Sequence, residues 1–502
     1  MGDVNPVREL HSLIPFGDKS LSNGVKGFLK IKREIAPYRA VCERVKDYKE
    51  VSLLRSLEKS GEQGARCMDC GVPFCHWACP IGNYIPEWND RLFRGQLKKA
   101  LEALHTTNNF PEITGRLCPA LCEFSCVLGI NDDPVTTREN ELAIIEHSFK
   151  KGFVKPNPPK KRTGKNIAVI GSGPAGLACA DQLNKAGHQV VVFERDDKIG
   201  GILRYGIPDF KLEKKIIDRR LDILREEGIK FRTSVNVGAD YKISKLKKEF
   251  DAICLTGGCR APRDLKIEGR DLKGIHLAMD YLIQSNRRVS GEKIPSDNLI
   301  DAKGKRVIVI GGGDTGADCV GTAHRQGASC VVQIELLPQP PECRTCDFPW
   351  PRYPMILKTS SSHQEGGERL WAVLTKKFIG DNGRVKKLSC VKVEFPGKDD
   401  KGCLIMEEIP NSAFEIDADM VILALGFTHP EKAGLIEALR VELDPRGNIK
   451  TDTNYLTSVK GVFAAGDIRR GQSLIVWAIS EGRRAAHSVD KYLMGKTRLP
   501  AM

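Results

Sequence analysis

No apolar run in this chain of 502 residues approaches the length of a membrane span, which excludes a transmembrane helix. The opening decapeptide, MGDVNPVREL, has no apolar core of the kind a signal peptide needs, and Pro6 stands where N-myristoylation needs Ser or Thr. A cytoplasmic location without membrane attachment is therefore expected. A basic nucleic-acid arm is missing too. The net charge of +14 is spread along the chain, and its densest patch (Lys150, Lys151, Lys155, Lys160, Lys161, Arg162, Lys165) has no aromatic binding module beside it. That patch surrounds Pro156-Asn-Pro-Pro159 and reads as a solvated linker, or as a docking edge for an acidic partner.

What is present fits about three soluble globular domains. The stretch Asn166 to Gly201 organises them. Ile167 to Ile170 is a buried strand, Gly171-Ser-Gly173-Pro174-Ala175-Gly176 a tight turn, Leu177 to Lys185 a helix, and Gln189 to Phe193 a second strand. Gly171 permits the turn, Gly173 lets the backbone approach a pyrophosphate, and Gly176 lets the helix pack on the strand. Glu194, 23 positions after Gly171, stands where a carboxylate would meet an adenosine ribose. Gly200 and Gly201 complete an ExxxxxGG pattern similar to that of two-dinucleotide flavoprotein reductases, so FAD is expected here rather than NAD.

Seventeen cysteines are many for a cytoplasmic chain, where clustered Cys means metal or redox chemistry. Seven of them fall together, as Cys67-x2-Cys70-x4-Cys75-x3-Cys79-Pro and Cys118-Pro-x2-Cys122-x3-Cys126. A zinc site would leave three thiolates over, so iron–sulfur clusters are the better reading. In runs ending Cys-Pro, the last Cys serves the other cluster. By that crossed logic Cys67, Cys70 and Cys75 share a [4Fe–4S] cluster with Cys126, while Cys79, Cys118 and Cys122 hold a second. The second needs a non-Cys ligand, for which Glu141 in the helix Arg138 to Lys150 is the candidate; a solvated helix carboxylate is the alternative. His76 is expected to pack or hydrogen-bond rather than to ligate. Ahead of the cassette, Glu43 to Lys59 reads as one helical face, ending before Gly61.

A second fingerprint follows: strand Arg306 to Ile310, turn Gly311-Gly312-Gly313-Asp314-Thr315-Gly316, helix Ala317 to Gln326 and strand Val331 to Leu336. Glu335, 24 positions after Gly311, favours the free 2'-hydroxyl of NADH, while His324, Arg325 and Arg344 leave NADPH open. Strands ending in glycine recur at Phe250 to Gly258 and Asp419 to Gly426. Finally Gly461-Val-Phe-Ala-Ala-Gly466-Asp467 and the helix Gln472 to Asp490 return to the flavin, Asp467 toward the ribityl or pyrophosphate region. Cys343-x2-Cys346 lies in a Pro-rich loop with no helix start to lower a thiol pKa, so it reads as unpaired loop thiols rather than a redox disulfide.

The order of these elements, with CMDCGVPFC, GNYIPEWNDR, NNFPEITGRLCPALCE, VLGIND, GGILRYGIPDFKL, TSSSHQEGGER and GVFAAGDIRRGQSLIVWAISEGRRAA, closely resembles the small (beta) subunits of glutamate synthase, a pyridine nucleotide-disulfide oxidoreductase-like family with an N-terminal iron–sulfur domain. The Cys343/Cys346 loop departs from it. The resemblance implies that NAD(P)H reduces FAD, and that electrons leave through two 4Fe–4S clusters to a large subunit carrying FMN and a further cluster. There glutamine and 2-oxoglutarate yield glutamate. It also implies a hetero-oligomer, and a place for Arg204 and Gly201 beside the flavin. No catalytic side chain is expected, since the cofactors carry the chemistry. No Cys follows Met1 and no run of eight βα units occurs, so this chain alone should not make glutamate. The rival readings are a stand-alone or bifurcating NAD(P)H:ferredoxin-type reductase subunit and a non-catalytic flavin and cluster scaffold.

The expected fold is α/β: two Rossmann-like dinucleotide-binding domains, the NAD(P) domain inserted in the FAD domain, preceded by an α-helical two-cluster iron–sulfur domain. The expected bounds are an irregular arm 1–40, the iron–sulfur domain 41–155, a first FAD-binding segment 156–290, the NAD(P) domain 291–455 and a second FAD-binding segment 456–502.

Overall fold

The computed structural model describes residues 24–400 and 402–501. Most of the expected N-terminal arm therefore lies outside the described residues. The chain divides into two units.

The first unit contains Leu53–Lys155, the described residues 24–37, and a distant segment, Cys346–Pro354. It is helical. Ile85–Phe93, Leu97–Thr107 and Thr137–Lys150 carry apolar residues at three- and four-residue spacing, and these meet in a core of Ile85, Trp88, Leu92, Leu101, Leu104, Ile144 and Ile145. Helix Pro111–Leu117 lies against Thr137–Lys150 because residue 115 is Gly: a Cβ there would stand 2.9 Å from Leu142 Cβ. The segment Cys346–Pro354 is pinned by aromatic contacts, Trp350 on Phe74 at 4.6 Å and Tyr353 against Phe124 at 4.9 Å, and by Ser125 Oγ donating to Pro351 O at 2.7 Å.

The second unit comprises Tyr38–Ser52, Pro156–Thr345 and the chain from Met355 onward. It contains two five-stranded parallel sheets. The first runs Val462–Ala464, Ala252–Leu255, Asn166–Ile170, Gln189–Phe193, Lys230–Arg232. The second runs Ile275–Leu277, Met420–Leu423, Arg306–Ile310, Cys330–Ile334, Glu368–Leu370. Their central strands are buried along almost their whole length, as parallel strands covered on both faces must be. A smaller antiparallel sheet, formed around Arg384–Lys398 by Val373–Asp381, Leu404–Glu408 and Phe414–Asp417, was not foreseen from the sequence.

Three details differ from expectation. Strand Ile275–Leu277 pairs with Met420–Leu423, so it and the following helix Ala278–Val289 go with the second sheet although they precede residue 290. Ile436, Leu439, Val441 and Ile449 pack into the core of the first sheet although they precede 456. We therefore propose crossover points near 260 and 430. The single helix expected from Glu43 to Lys59 is instead a short helix Val41–Arg44, a Tyr38–Ser52 bridge, and a helix Leu57–Gly64 whose N-cap Ser56 accepts the Lys59 amide at 3.2 Å. The apolar residues in that stretch serve two cores. Tyr48 hydrogen-bonds Ser285 in the second unit, and Leu57 packs into the first.

Within the second unit a buried ion cluster fastens Tyr38–Ser52. Glu365 accepts Arg44 Nε at 2.8 Å and both Arg325 terminal nitrogens, at 2.5 and 3.0 Å, and all three side chains are at most 2% exposed. Arg325 also stacks on the Phe210 ring, and Val51 N donates to Phe210 O at 3.0 Å.

Candidate functional site

The seven clustered thiols of the first unit fall into two groups. Cys67, Cys70, Cys75 and Cys126 line one cavity together with Phe74, Ile85 and Pro86. Burial, reinforced by the charges of the other thiols in the group, pushes Cys67 up to about 12 and raises Cys70 and Cys75 as well. Cys79, Cys118 and Cys122 form the second group. Burial pushes Cys79 up to about 12 and Cys118 to about 11, with Glu141 adding to both, and lifts Cys122 well above the usual thiol range. Such thiols ionise when a metal shares their charge. Among the described residues no three His, Cys, Asp or Glu converge closely enough on one point to hold a single metal ion. The four thiols that line one cavity equal in number the thiolates that a 4Fe–4S cluster takes.

The surrounding backbone fits the same chemistry. Amides of Ile81 and Asn83 point at the Cys79 sulfur, those of Ala120 and Leu121 at Cys118, Asp69 at Cys67 and His76 at Cys75. Hydrogen bonds of this kind to cluster sulfurs are one of the levers on reduction potential. Two loop residues, Asp69 (φ +50°) and Ala120 (φ +59°), adopt left-handed backbone to make these wraps. His76 lies against the Tyr84 ring at 5.4 Å.

Glu141 is 6% exposed, which excludes the solvated alternative. Thr114 Oγ1 and Asn108 Nδ2 (3.2 Å) donate to its Oε1, and Asn83 Nδ2 approaches Oε2 at 3.4 Å. Burial pushes the carboxyl up to about 8 against the Thr114 bond. Asn83, Asn108 and Thr114 were not singled out from sequence, although all three lie in the motifs that carry the resemblance.

In the second unit the two glycine turns share one construction. Gly171 (φ +107°) and Gly311 (φ +124°) make the turns, and a Cβ on either would collide with backbone, at 2.6 Å from Thr256 O and 2.3 Å from Ala424 O. Cβ atoms at Gly176 and Gly316 would stand 2.0 and 2.2 Å from the carbonyl oxygens of Gly171 and Gly311. Gly173 and Gly313 face open space instead, as a position approached by phosphate must. Helices Pro174–Lys185 and Asp314–Gln326 start directly after them, so unpaired amides and the positive end of the helix dipole meet there. Thr315 is half-buried in that first turn and Asp314 is exposed.

Each turn is backed by its acid. Glu194 accepts the Ser172 amide at 3.0 Å and the Ser172 hydroxyl at 2.5 Å, and the Asp196 amide at 3.0 Å. Glu335 accepts the Gly312 amide at 2.6 Å and the Leu337 amide at 3.1 Å. Gly201 (φ +53°) comes back against Gly173, where a Cβ would be 3.0 Å from Gly173 Cα. Arg204 lies behind this turn. Its Nε donates to Ile199 O at 3.0 Å and its guanidinium pairs with Asp218, so its visible role is to support Gly200 and Gly201.

The returning strand closes the first site. Gly466 packs on Ala175, with a Cβ there only 2.7 Å from Ala175 Cβ, and its amide donates to buried Glu481 at 2.8 Å. Asp467 accepts the Ser473 hydroxyl at 2.6 Å, and burial raises its carboxyl above the ordinary range. The last helix, Ile475–Met494, packs closely on Pro174–Lys185 through Gly482. Cys343 and Cys346 are exposed and unpaired. His324 is held away from solvent with its pKa lowered by burial, and Arg325 is committed to Glu365.

These sites coincide with two family models. Residues 165–482 match pyridine nucleotide-disulphide oxidoreductase, and residues 44–153 match dihydropyrimidine dehydrogenase domain II, 4Fe-4S cluster. A glutamate synthase [NADPH] small chain of Mycobacterium tuberculosis is 53% identical over 480 residues, 95% of this chain and 97% of that one. Its counterpart in Bacillus subtilis is 48% identical over 490 residues, 94% and 99% of the two chains. The glutamate synthase [NADH] of Schizosaccharomyces pombe is 49% identical over 488 residues, which are 95% of this chain and 23% of that much longer one. Among solved structures, Mycobacterium tuberculosis FprA in complex with NADPH superposes with a TM-score of 0.53 at 18% identity, over 68% of this chain and 85% of that one, a likeness of fold. No helix among the described residues is long and apolar enough to cross a membrane.

Proposed function

This chain belongs to the glutamate synthase small chains, and from that premise we propose that it is the electron-input subunit of a cytoplasmic hetero-oligomer, oxidising NAD(P)H and delivering electrons to a large subunit that holds FMN and a further cluster. Bound FAD supplies the change from hydride to single electrons and bound iron–sulfur clusters supply their conduit, so no side chain has to act as acid or base.

The work of the chain is positioning. Amides of the Gly311, Gly313 and Gly316 turn, with Asp314 and Thr315 at the start of the helix, hold the coenzyme pyrophosphate. Glu335 accepts the ribose hydroxyls and disfavours a 2'-phosphate, which makes NADH the preferred coenzyme. Gly171, Gly173, Pro174, Ala175 and Gly176 hold the pyrophosphate of FAD, and Glu194 its adenosine ribose. Gly201, supported by Arg204, borders the same turn, while Gly466 and Asp467 approach it from the returning strand. Cys67, Cys70, Cys75 and Cys126 take one 4Fe–4S cluster; Cys79, Cys118, Cys122 and Glu141 take a second, with Thr114 and Asn108 orienting the carboxylate as outer-shell donors.

The observation that carries this reading is the presence, in one chain, of two glycine turns each backed by its acid, and of thiols in two separate groups. The test is anaerobic titration of the purified chain with NADH and NADPH in parallel. Bleaching of the flavin absorbance is expected, followed by glutamine- and 2-oxoglutarate-dependent coenzyme oxidation once the large subunit is added. A flavin that neither coenzyme bleaches would overturn it.

A further inference from the structure

We propose that Gln333 and His363 are a positioning pair for the second nucleotide turn, holding the Gly311 carbonyl so that the turn is already shaped for a dinucleotide pyrophosphate. The proposal rests on the reading of that turn as the nicotinamide coenzyme's. Neither residue lies in the glycine fingerprint: Gln333 is on the next strand, and His363 comes from a short helix, Ser361–Gln364, in a stretch that the electron path leaves without a role.

The contacts form a chain with one direction. Ser360 N donates to His363 Nδ1 at 3.2 Å, which makes Nδ1 the acceptor and puts the ring proton on Nε2. His363 Nε2 then donates to Gln333 Oε1 at 2.8 Å. This fixes the amide orientation, and Gln333 Nε2 donates to Gly311 O at 2.8 Å. Reversing the amide or moving the ring proton would set like against like at one link. Burial, with Arg369 and Lys211 adding and Asp314 opposing, pushes His363 down to about 4, so near neutrality the ring carries the single proton the chain requires.

The pair is built in from several sides. Gln333 is 3% exposed. Gly316 leaves it room, since a Cβ there would lie 2.6 Å from Gln333 Nε2. Gly321 lets the short helix close on Asp314–Gln326, a Cβ there standing 2.4 Å from Ser362 Oγ. Two residues beyond His363, Glu365 is locked between Arg44 and Arg325. The flavin turn solves the same problem with one residue: Thr256 Oγ1 lies 3.0 Å from Gly171 O. A carbonyl left free on the second turn could swing toward the phosphates and repel them, so fixing it beforehand removes a cost from binding.

The test uses the full, flavin-loaded chain, with oxidised NAD as the probe of affinity and NADH bleaching as the kinetic readout. Gln333→Leu and His363→Phe are expected to weaken NAD binding and raise KM about tenfold, roughly the loss of one hydrogen bond, with kcat and FAD content retained. His363→Gln, which can still donate from a nitrogen near Nε2, is expected to recover most of the affinity. The double variant Gln333→Leu/His363→Phe should be no weaker than either single one, because the residues act in series. Wild-type affinity in both single variants, or additive losses in the double, would overturn the proposal while leaving the coenzyme reading intact. Loss of FAD along with NAD affinity, not restored by His363→Gln, would make the pair merely structural and overturn it as well. A wild-type chain that binds neither NAD nor NADP would refute the coenzyme reading, and the proposal with it.

Discussion

Gly312 gives its amide to the Glu335 carboxylate at 2.6 Å, so the acid at the end of one strand and the glycine turn at the end of its neighbour form one hydrogen-bonded element. In the coenzyme site proposed above, that element would meet both the ribose and the pyrophosphate. Glu335→Arg removes the acceptor and supplies a cation, and the affinity ratio is expected to move about tenfold or more toward NADPH. Parallel anaerobic titrations with the two coenzymes measure it. An unchanged ratio would remove Glu335 from coenzyme choice.

Gly176→Ala and Gly316→Ala separate the two nucleotide sites. Each adds a Cβ about 2 Å from a backbone carbonyl, at 2.0 and 2.2 Å, where the strand and helix cannot separate without opening the turn. Gly176→Ala should yield protein depleted of FAD. Gly316→Ala should keep its FAD, and NADH should no longer bleach it. Absorbance spectra before and after NADH addition decide both, and the reverse pattern would exchange the two assignments.

Glu141→Ala removes the buried carboxylate that acts on both Cys79 and Cys118. Iron and acid-labile sulfide are expected to fall by about half, with FAD unchanged, since the Cys67, Cys70, Cys75 and Cys126 group stays whole. Cys126→Ser should deplete the other half. Wild-type iron content in Glu141→Ala would remove it from the ligand set.

His363 makes stability depend on pH in a defined window. Its native pKa is pushed down to about 4 from the ordinary 6.5, so between those values the unfolded chain binds the proton and the native one does not. The contribution is complete above about 6.5 and is lost as the pH falls toward 4. Because the ring is only partly shielded, about 1–2 kcal/mol is expected rather than the full linkage value. Between pH 7 and pH 4 the denaturant midpoint of wild type should fall by that amount relative to His363→Gln, which does not titrate. Parallel curves would show that another group titrates there.

Glu365→Gln leaves two buried guanidinium groups without a counter-charge. A loss of about 3–5 kcal/mol is expected, the cost of breaking a buried pair from one side. Thermal unfolding followed at the flavin reports it. A change below about 1 kcal/mol would mean that water reaches Arg44 and Arg325 when the carboxylate is removed.

The regions of this protein legible in its sequence are those where one local constraint sets both residue type and spacing. Gly171, Gly173 and Gly176 are such a case, because the turn, the phosphate approach and the helix contact each demand glycine at a fixed step. The short spacings of Cys67, Cys70 and Cys75 likewise bring these three thiols to one cavity, which Cys126 joins from a distant turn. What escaped was set by distant neighbours. Thr256 and Gln333 do the same work on the two turns from different strands, with different chemistry, so no spacing announces them. Glu43 to Lys59 has helical periodicity, but its apolar residues are divided between two cores, and tertiary packing overrides the pattern. Ile275–Leu277 is too short a strand to declare its sheet before its partner Met420–Leu423 is known.

The segment Cys346–Pro354 sets a condition on the order in which this protein can be made. Phe74 and Ser125 flank the thiols of Cys75 and Cys126, yet the residues that contact them, Trp350 and Pro351, are translated more than two hundred positions later. A nascent chain halted after Lys155 has all seven clustered cysteines but lacks this cover. Completion of the first unit must therefore wait until the chain has been synthesised through Pro354, well into the second unit.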